Sequence, residues 1–151
     1  MKIGIISDHR GYDLKEKIVN TMDEYNFIDL GVNSIEDISV DYPDYSFKLG
    51  EKIKDKELDY GIAICGTGIG ICIALNKVKG IRCAKVDSIE DVIATRSHND
   101  ANAISFNAST PIEKAQEYIK AFINTPFSEE IRHKTRIEKI TKYESGNLNG
   151  R

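Results

Sequence analysis

A chain of 151 residues, 40% hydrophobic and 30% charged with a formal net charge of -3, has the length of one ordinary domain and can bury roughly 68–70% of its unfolded surface. Its pI near 5.7 excludes a basic nucleic-acid footprint, although a few arginines and backbone N–H groups can hold one phosphate on a protein of any net charge. The opening apolar run stops at Ser7, Asp8 and His9, too short for a signal-peptide core or a membrane span, so a cytoplasmic protein with no membrane partner is expected.

In chain order, the apolar run at 3–6 predicts a first strand, and Leu14, Ile18 and Met22, spaced by four after Gly11, predict the first helix. A second strand is expected at 27–30. Pro43 opens a helix reaching about Lys54, proline being favoured in a first turn. The run at 60–65 gives a third strand, and the glycine-rich segment after it leads into a helix. A fourth strand is expected at 81–86, followed by a helix from the N-cap Ser88 toward His98. The run at 103–106 is the fifth strand. Ala115, Tyr118, Ile119 and Phe122 behind Pro111 mark another helix, and the charged stretch 128–143 one more. Residues 146–151 read as a polar, flexible tail. This alternation predicts one α/β domain over 1–145, with a five-stranded parallel sheet and helices on both faces.

Ligands of an open parallel sheet bind beyond the carboxyl ends of its strands. That rule selects 7–11 after strand one, 65–70 after strand three and the turn after strand five. Gly66, Gly68 and Gly70 alternate between a buried strand and a helix. Such a turn brings backbone N–H groups toward an anion or a developing oxyanion, and it equally suits tight helix–sheet packing. The spacing matches neither a G-x-G-x-x-G fingerprint nor a P-loop, which disfavours a nucleotide-binding module. Cys65, at a strand end before a helix, lies where the helix dipole favours a thiolate, which can abstract a carbon-bound proton beside a carbonyl. A buried structural cysteine is the alternative. Cys72 and Cys83 fall in apolar helix and strand patterns; three cysteines without CxxC or paired histidines indicate neither disulfides nor a metal site.

His98, with Asn99 at a helix end, can protonate a ring oxygen to open a cyclic sugar, or simply interact with the helix C-terminus. His133 carries no positional argument and reads as surface. Asp8 can accept from a sugar hydroxyl or cap the following helix. Arg132 and Arg136, four apart, share a helix face that can grip a phosphate or merely be solvated.

The segments SDHRG, VDYPDY, CGTGIG, ALNK, GIR, HNDAN and RIEKI, in this order, resemble the ribose-5-phosphate isomerase B family, which includes the galactose-6-phosphate isomerase subunits. The resemblance implies a Rossmann-like three-layer sandwich forming homodimers or tetramers with active sites shared between subunits. It implies Cys65 as proton-abstracting base, Thr67 and His98 as ring-opening residues, and Gly66, Gly68, Ile69 and Gly70 in the anion hole. It further implies Asp8, His9 and Asn99 at sugar-binding positions, Arg132 and Arg136 at phosphate-binding ones, and Tyr42 near the substrate.

Three departures stand out. Arg10 replaces a usual alanine, and Asn107-Ala108-Ser109 stands where the family has a Gly-Ala-Arg stretch, so that one phosphate-binding arginine is missing; Arg10 is a candidate replacement. The family's usual serine after the anion hole is Cys72. The expected activity is metal-free and cofactor-free interconversion of ribose 5-phosphate and ribulose 5-phosphate through a cis-enediol, within the pentose phosphate pathway. His98 favours this over a six-carbon phosphosugar such as allose or galactose 6-phosphate. A non-catalytic phosphosugar-binding relative is the alternative from another class.

Overall fold

Strands β1 (Lys2–Ser7) and β3 (Tyr60–Cys65) are each buried at every position after the first, as expected for strands covered on both faces. The computed structural model describes residues 1–34 and 40–146. The remaining strands are β2 (Asn26–Asp29), β4 (Cys83–Lys85) and β5 (Ala103–Asn107). All five form one parallel sheet in the order β2-β1-β3-β5-β4.

The helices are α1 (Tyr12–Thr21), α2 (Tyr42–Lys54), α3 (Ile69–Leu75), α4 (Ile89–Asn99), α5 (Ile112–Asn124) and α6 (Ile131–Glu144). Period-two alternation divides the strand side chains between two layers. Ile3, Ile5, Ile62, Ile64, Ile104 and Phe106 pack with α1, α4 and α5, through Leu14, Ile18, Val92, Ile119 and Phe122. On the opposite face Ile6, Ala63, Cys65 and Ala103 pack with α2 and α3, through Leu49, Ile53, Ile71 and Leu75. Each fully buried aliphatic side chain here contributes roughly 1.5–3 kcal/mol. The expected three-layer α/β sandwich is therefore the observed fold.

Two boundaries differ from expectation, each for a local reason. Strand β4 spans Cys83–Lys85 rather than 81–86; at its start Ile81 N donates to Val78 O (3.1 Å) and Arg82 N to Asn102 Oδ1 (2.9 Å), so neither amide joins the ladder. Helix α6 begins at Ile131, not 128, because Ser128 N donates to Ser97 O (3.0 Å) and Glu129 has φ +61°, outside helical geometry. Ser88 caps α4 as expected, its Oγ accepting from Asp91 N at 3.1 Å. Apart from Gly146, the tail expected at 146–151 lies outside the described residues.

From β1 the chain moves to one edge of the sheet, and from β3 to the other. The carboxyl ends of β1 and β3 therefore flank the topological switch point, where a crevice opens in sheets of this class.

Candidate active site

Residues 8–11 and 65–70 meet at that switch point and, with the start of α2, enclose a cleft of about 670 Å³. Asp8, His9, Arg10, Tyr42, Cys65, Gly66, Thr67 and Gly70 all line it. The two loops are tied to the sheet: Asp8 N donates to Ile64 O (3.1 Å) and Ala108 N to Cys65 O (2.9 Å). Asp8 is buried, and its Oδ1 accepts from Gly11 N at 3.0 Å. It closes the turn ahead of α1 while lining the cleft, so the capping and ligand-facing readings hold together.

Cys65 ends β3 with its side chain on the α2–α3 face, buried, its Sγ accepting a hydrogen bond from Gly68 N at 3.1 Å. The turn that supplies this amide can be built only from glycine. Gly68 has φ +77°, and a Cβ there would lie 2.8 Å from the Phe106 carbonyl carbon. The buried Ser105 Oγ donates to Gly68 O at 2.7 Å, pinning the turn to β5. Thr67 is exposed, and its Oγ1 accepts from Ile69 N at 3.1 Å, which leaves the hydroxyl proton free for another acceptor.

Two cleft side chains lie directly on the glycines. A Cβ at Gly66 would meet Arg10 Nη1 at 2.8 Å, and one at Gly70 would meet Tyr42 Oη at 2.5 Å. The Arg10 guanidinium therefore rests across the glycine turn, and among the described residues it has no carboxylate partner. Cys72, one turn into α3, faces away from the cleft, its Sγ donating to Cys83 O at 3.4 Å. The neighbouring Cys83 thiol, through its side-chain hydrogen bond, holds the Cys72 thiol down to about 7, while Cys72 and burial push Cys83 up.

His98, Asn99, Arg132 and Arg136 are not in this cleft. The register pairs Gly61 with Ala103 and Cys65 with Asn107, so Cys65 lies at the carboxyl edge of the sheet, roughly 13 Å along β5 from its start. His98 ends α4 just before that start, at the opposite edge. Arg82 holds this end of α4, donating from Nε to Asn99 O (2.9 Å) and from Nη2 to Asp100 O (2.8 Å). The buried Arg96 ties it to the sheet through Ala101 O (2.7 Å) and the Tyr60 ring. Asn99 lines a separate groove with Ile81, Arg82 and Ile140. Arg132 and Arg136 stand exposed on α6.

His133 does not lie at the surface: it is 5% exposed and stacks on His98, with ring centroids 4.5 Å apart and planes 11° from parallel. Its position on the inward face of α6 could have been read from the half-buried Ile137 four residues on, but its partner could not.

Residues 3–140 match the Ribose/Galactose Isomerase family. The chain is similar to the ribose-5-phosphate isomerase B of Escherichia coli, with 37% identity over 95% of this chain and 96% of that protein. It is similar to the solved structure of Clostridium thermocellum ribose-5-phosphate isomerase B, with 42% identity, TM-score 0.90 and coverage of 97% and 99% of the two chains. The Mycoplasma genitalium ribose-5-phosphate isomerase B, solved with bound ribulose 5-phosphate, shares 38% identity at TM-score 0.87, covering 95% of this chain and 96% of that one. The match over nearly the full chain, with a cysteine and a glycine turn at the switch-point cleft, establishes that this chain belongs to the Ribose/Galactose Isomerase family.

Proposed function

We propose that residues 1–145 act as one catalytic domain that interconverts ribose 5-phosphate and ribulose 5-phosphate. The observation that carries this reading is Cys65 Sγ in the switch-point cleft, accepting from Gly68 N within a turn of backbone N–H groups. A family relative solved with ribulose 5-phosphate bound supports the substrate.

His98, aided by Thr67, protonates the ring oxygen as the bond from C1 to that oxygen breaks; the O1 hydroxyl gives up its proton to solvent, and the open aldehyde results. The Cys65 thiolate then takes the proton from C2, and the C2–H electrons form the C1–C2 double bond as C1=O becomes an oxyanion. Backbone N–H groups of 66–70 stabilise that charge as it develops. The proton returns from Cys65 to C1, the hydroxyl proton leaves O2 for O1, and the carbonyl now stands at C2. Asp8, His9 and Asn99 hold the sugar hydroxyls, and Arg132, Arg136 and Arg10 the phosphate. Every step is a proton transfer, so the chemistry calls for no redox cofactor.

Because Cys65 and His98 lie at opposite edges of one sheet, the site is completed by a second copy in a homodimer, His98 of one copy reaching the Cys65 cleft of the other. Helix α6 supports this, since His133 is its one buried residue while Ile131 and Tyr143 are 82% and 72% exposed. A phosphosugar substrate places the reaction in the cytoplasm, among the pentose phosphate interconversions.

The test is turnover of ribose 5-phosphate in EDTA by wild type and Cys65→Ala. Wild type is expected to isomerise it, and the variant to lose about a hundredfold or more in kcat, as for deletion of a general base. Allose and galactose 6-phosphates run in parallel; preference for either would move the assignment to a six-carbon substrate. Saturable binding without turnover of any of them would indicate a binding protein.

A further inference from the structure

The buried imidazole of His133 has no part in the steps above, and its Nε2 is buried without a hydrogen-bond partner among the described residues. A buried polar atom left unpaired costs free energy unless another role keeps it there. Its ring face lies 4.5 Å from that of His98, and nearly parallel. We infer that His133 is a positioning residue for His98, its ring face fixing the orientation from which His98 delivers a proton. This rests on the reading of His98 as the ring-opening acid.

The surroundings decide which of the two rings can carry charge. Arg132, Arg136 and His98 face His133 with positive charge, and Glu130, the opposing carboxylate, is taken by Arg132 Nε at 2.9 Å. Burial first, and then Arg132 and His98, hold His133 below the ordinary histidine range. The neighbouring Asp100 is occupied by Arg96 Nη1 at 2.9 Å and by Arg82. His133 is therefore disfavoured as a cation, whereas His98 is the exposed ring of the pair, in the last turn of α4. A neutral aromatic face against an imidazolium is attractive, as in other cation–π pairs, while two imidazolium rings would repel. His133 accordingly offers a neutral ring face, and His98 is the ring of the pair that can reach solvent or substrate.

An aromatic face without titratable nitrogen should do the same work. His133→Phe is expected to keep kcat within about threefold of wild type, and His133→Ala to lose about tenfold or more, since a misplaced catalytic group costs up to a hundredfold. The acid limb of the pH–rate profile should move in His133→Ala and stay in His133→Phe. In a His98→Asn background, His133→Ala should have no further effect on kcat. The free protein supplies an independent readout: NMR titration of the His98 ring should change in His133→Ala and be retained in His133→Phe. An unchanged His98 titration in His133→Ala, or a His133→Phe as impaired as His133→Ala, overturns the inference. A His98→Asn variant with wild-type turnover, alongside an altered His98 titration in His133→Ala, would instead defeat the catalytic reading of His98 and leave the stack standing.

Discussion

Arg10 illustrates how one exchange can redistribute charge within a site. Ser109 occupies the turn after β5, and Arg10 lies in the loop after β1, on the other side of β3, its Nη1 against Gly66 and its guanidinium unpaired among the described residues. A guanidinium with no carboxylate partner at an anion-binding turn is free to receive a phosphate. Arg10→Ala should raise KM for ribose 5-phosphate about tenfold, the loss of one charge-assisted hydrogen bond at a partly hydrated site. Steady-state kinetics check this, and an unchanged KM would show that Arg10 does not hold the phosphate. Cys65 and Asp8 were legible as candidates because a reactive side chain at the carboxyl end of a parallel strand has a limited set of uses. His133 was not legible, since what defines it is a contact between α4 and α6, whose packing no spacing within either helix specifies.

At the scale of elements, apolar runs and caps located every strand and helix, and the deviations arise where tertiary contacts replace local ones. The fourth strand starts later than its apolar run because the Asn102 side chain takes the Arg82 amide ahead of it, and α6 starts late because residue 128 is held on α4. The β3–α3 turn is the element most constrained by shape. Gly68 combines φ +77°, a Cβ position only 2.8 Å from backbone, and a carbonyl fixed by Ser105. An alanine there is strained and the turn cannot shift to relieve it. Gly68→Ala should therefore lower stability by about 1–3 kcal/mol in urea denaturation. It should also reduce kcat by more than the unfolded fraction explains, because the amide donated to Cys65 Sγ moves. Full activity with lowered stability would mean that this amide is not part of the anion hole.

On the scale of the whole molecule, the sheet keeps the two halves of the proposed site apart. A parallel strand sends its carboxyl end to one edge, and each helix returns the chain to the other, so residues at a strand end and at a helix C-terminus cannot converge within this fold. The sequence order alone therefore carried a hint that Cys65 and His98 need separate copies, although which surfaces meet depends on α6, whose exposed Ile131, Ile140 and Tyr143 follow no core pattern. Subunit complementation tests this. Cys65→Ala and His98→Asn should each keep only a small residual activity alone. Mixed after dissociation and reassociation, each mixed dimer of a two-fold symmetric pair would carry one intact site and one doubly defective site, so that about a quarter of all sites regain activity. The recovery should vanish on dilution below the dimer dissociation constant. If mixing restores nothing while both variants reassociate, Cys65 and His98 do not share a site between subunits, and ring opening must use a group from the Cys65 cleft itself, for which Asp8 and Thr67 are the placed candidates.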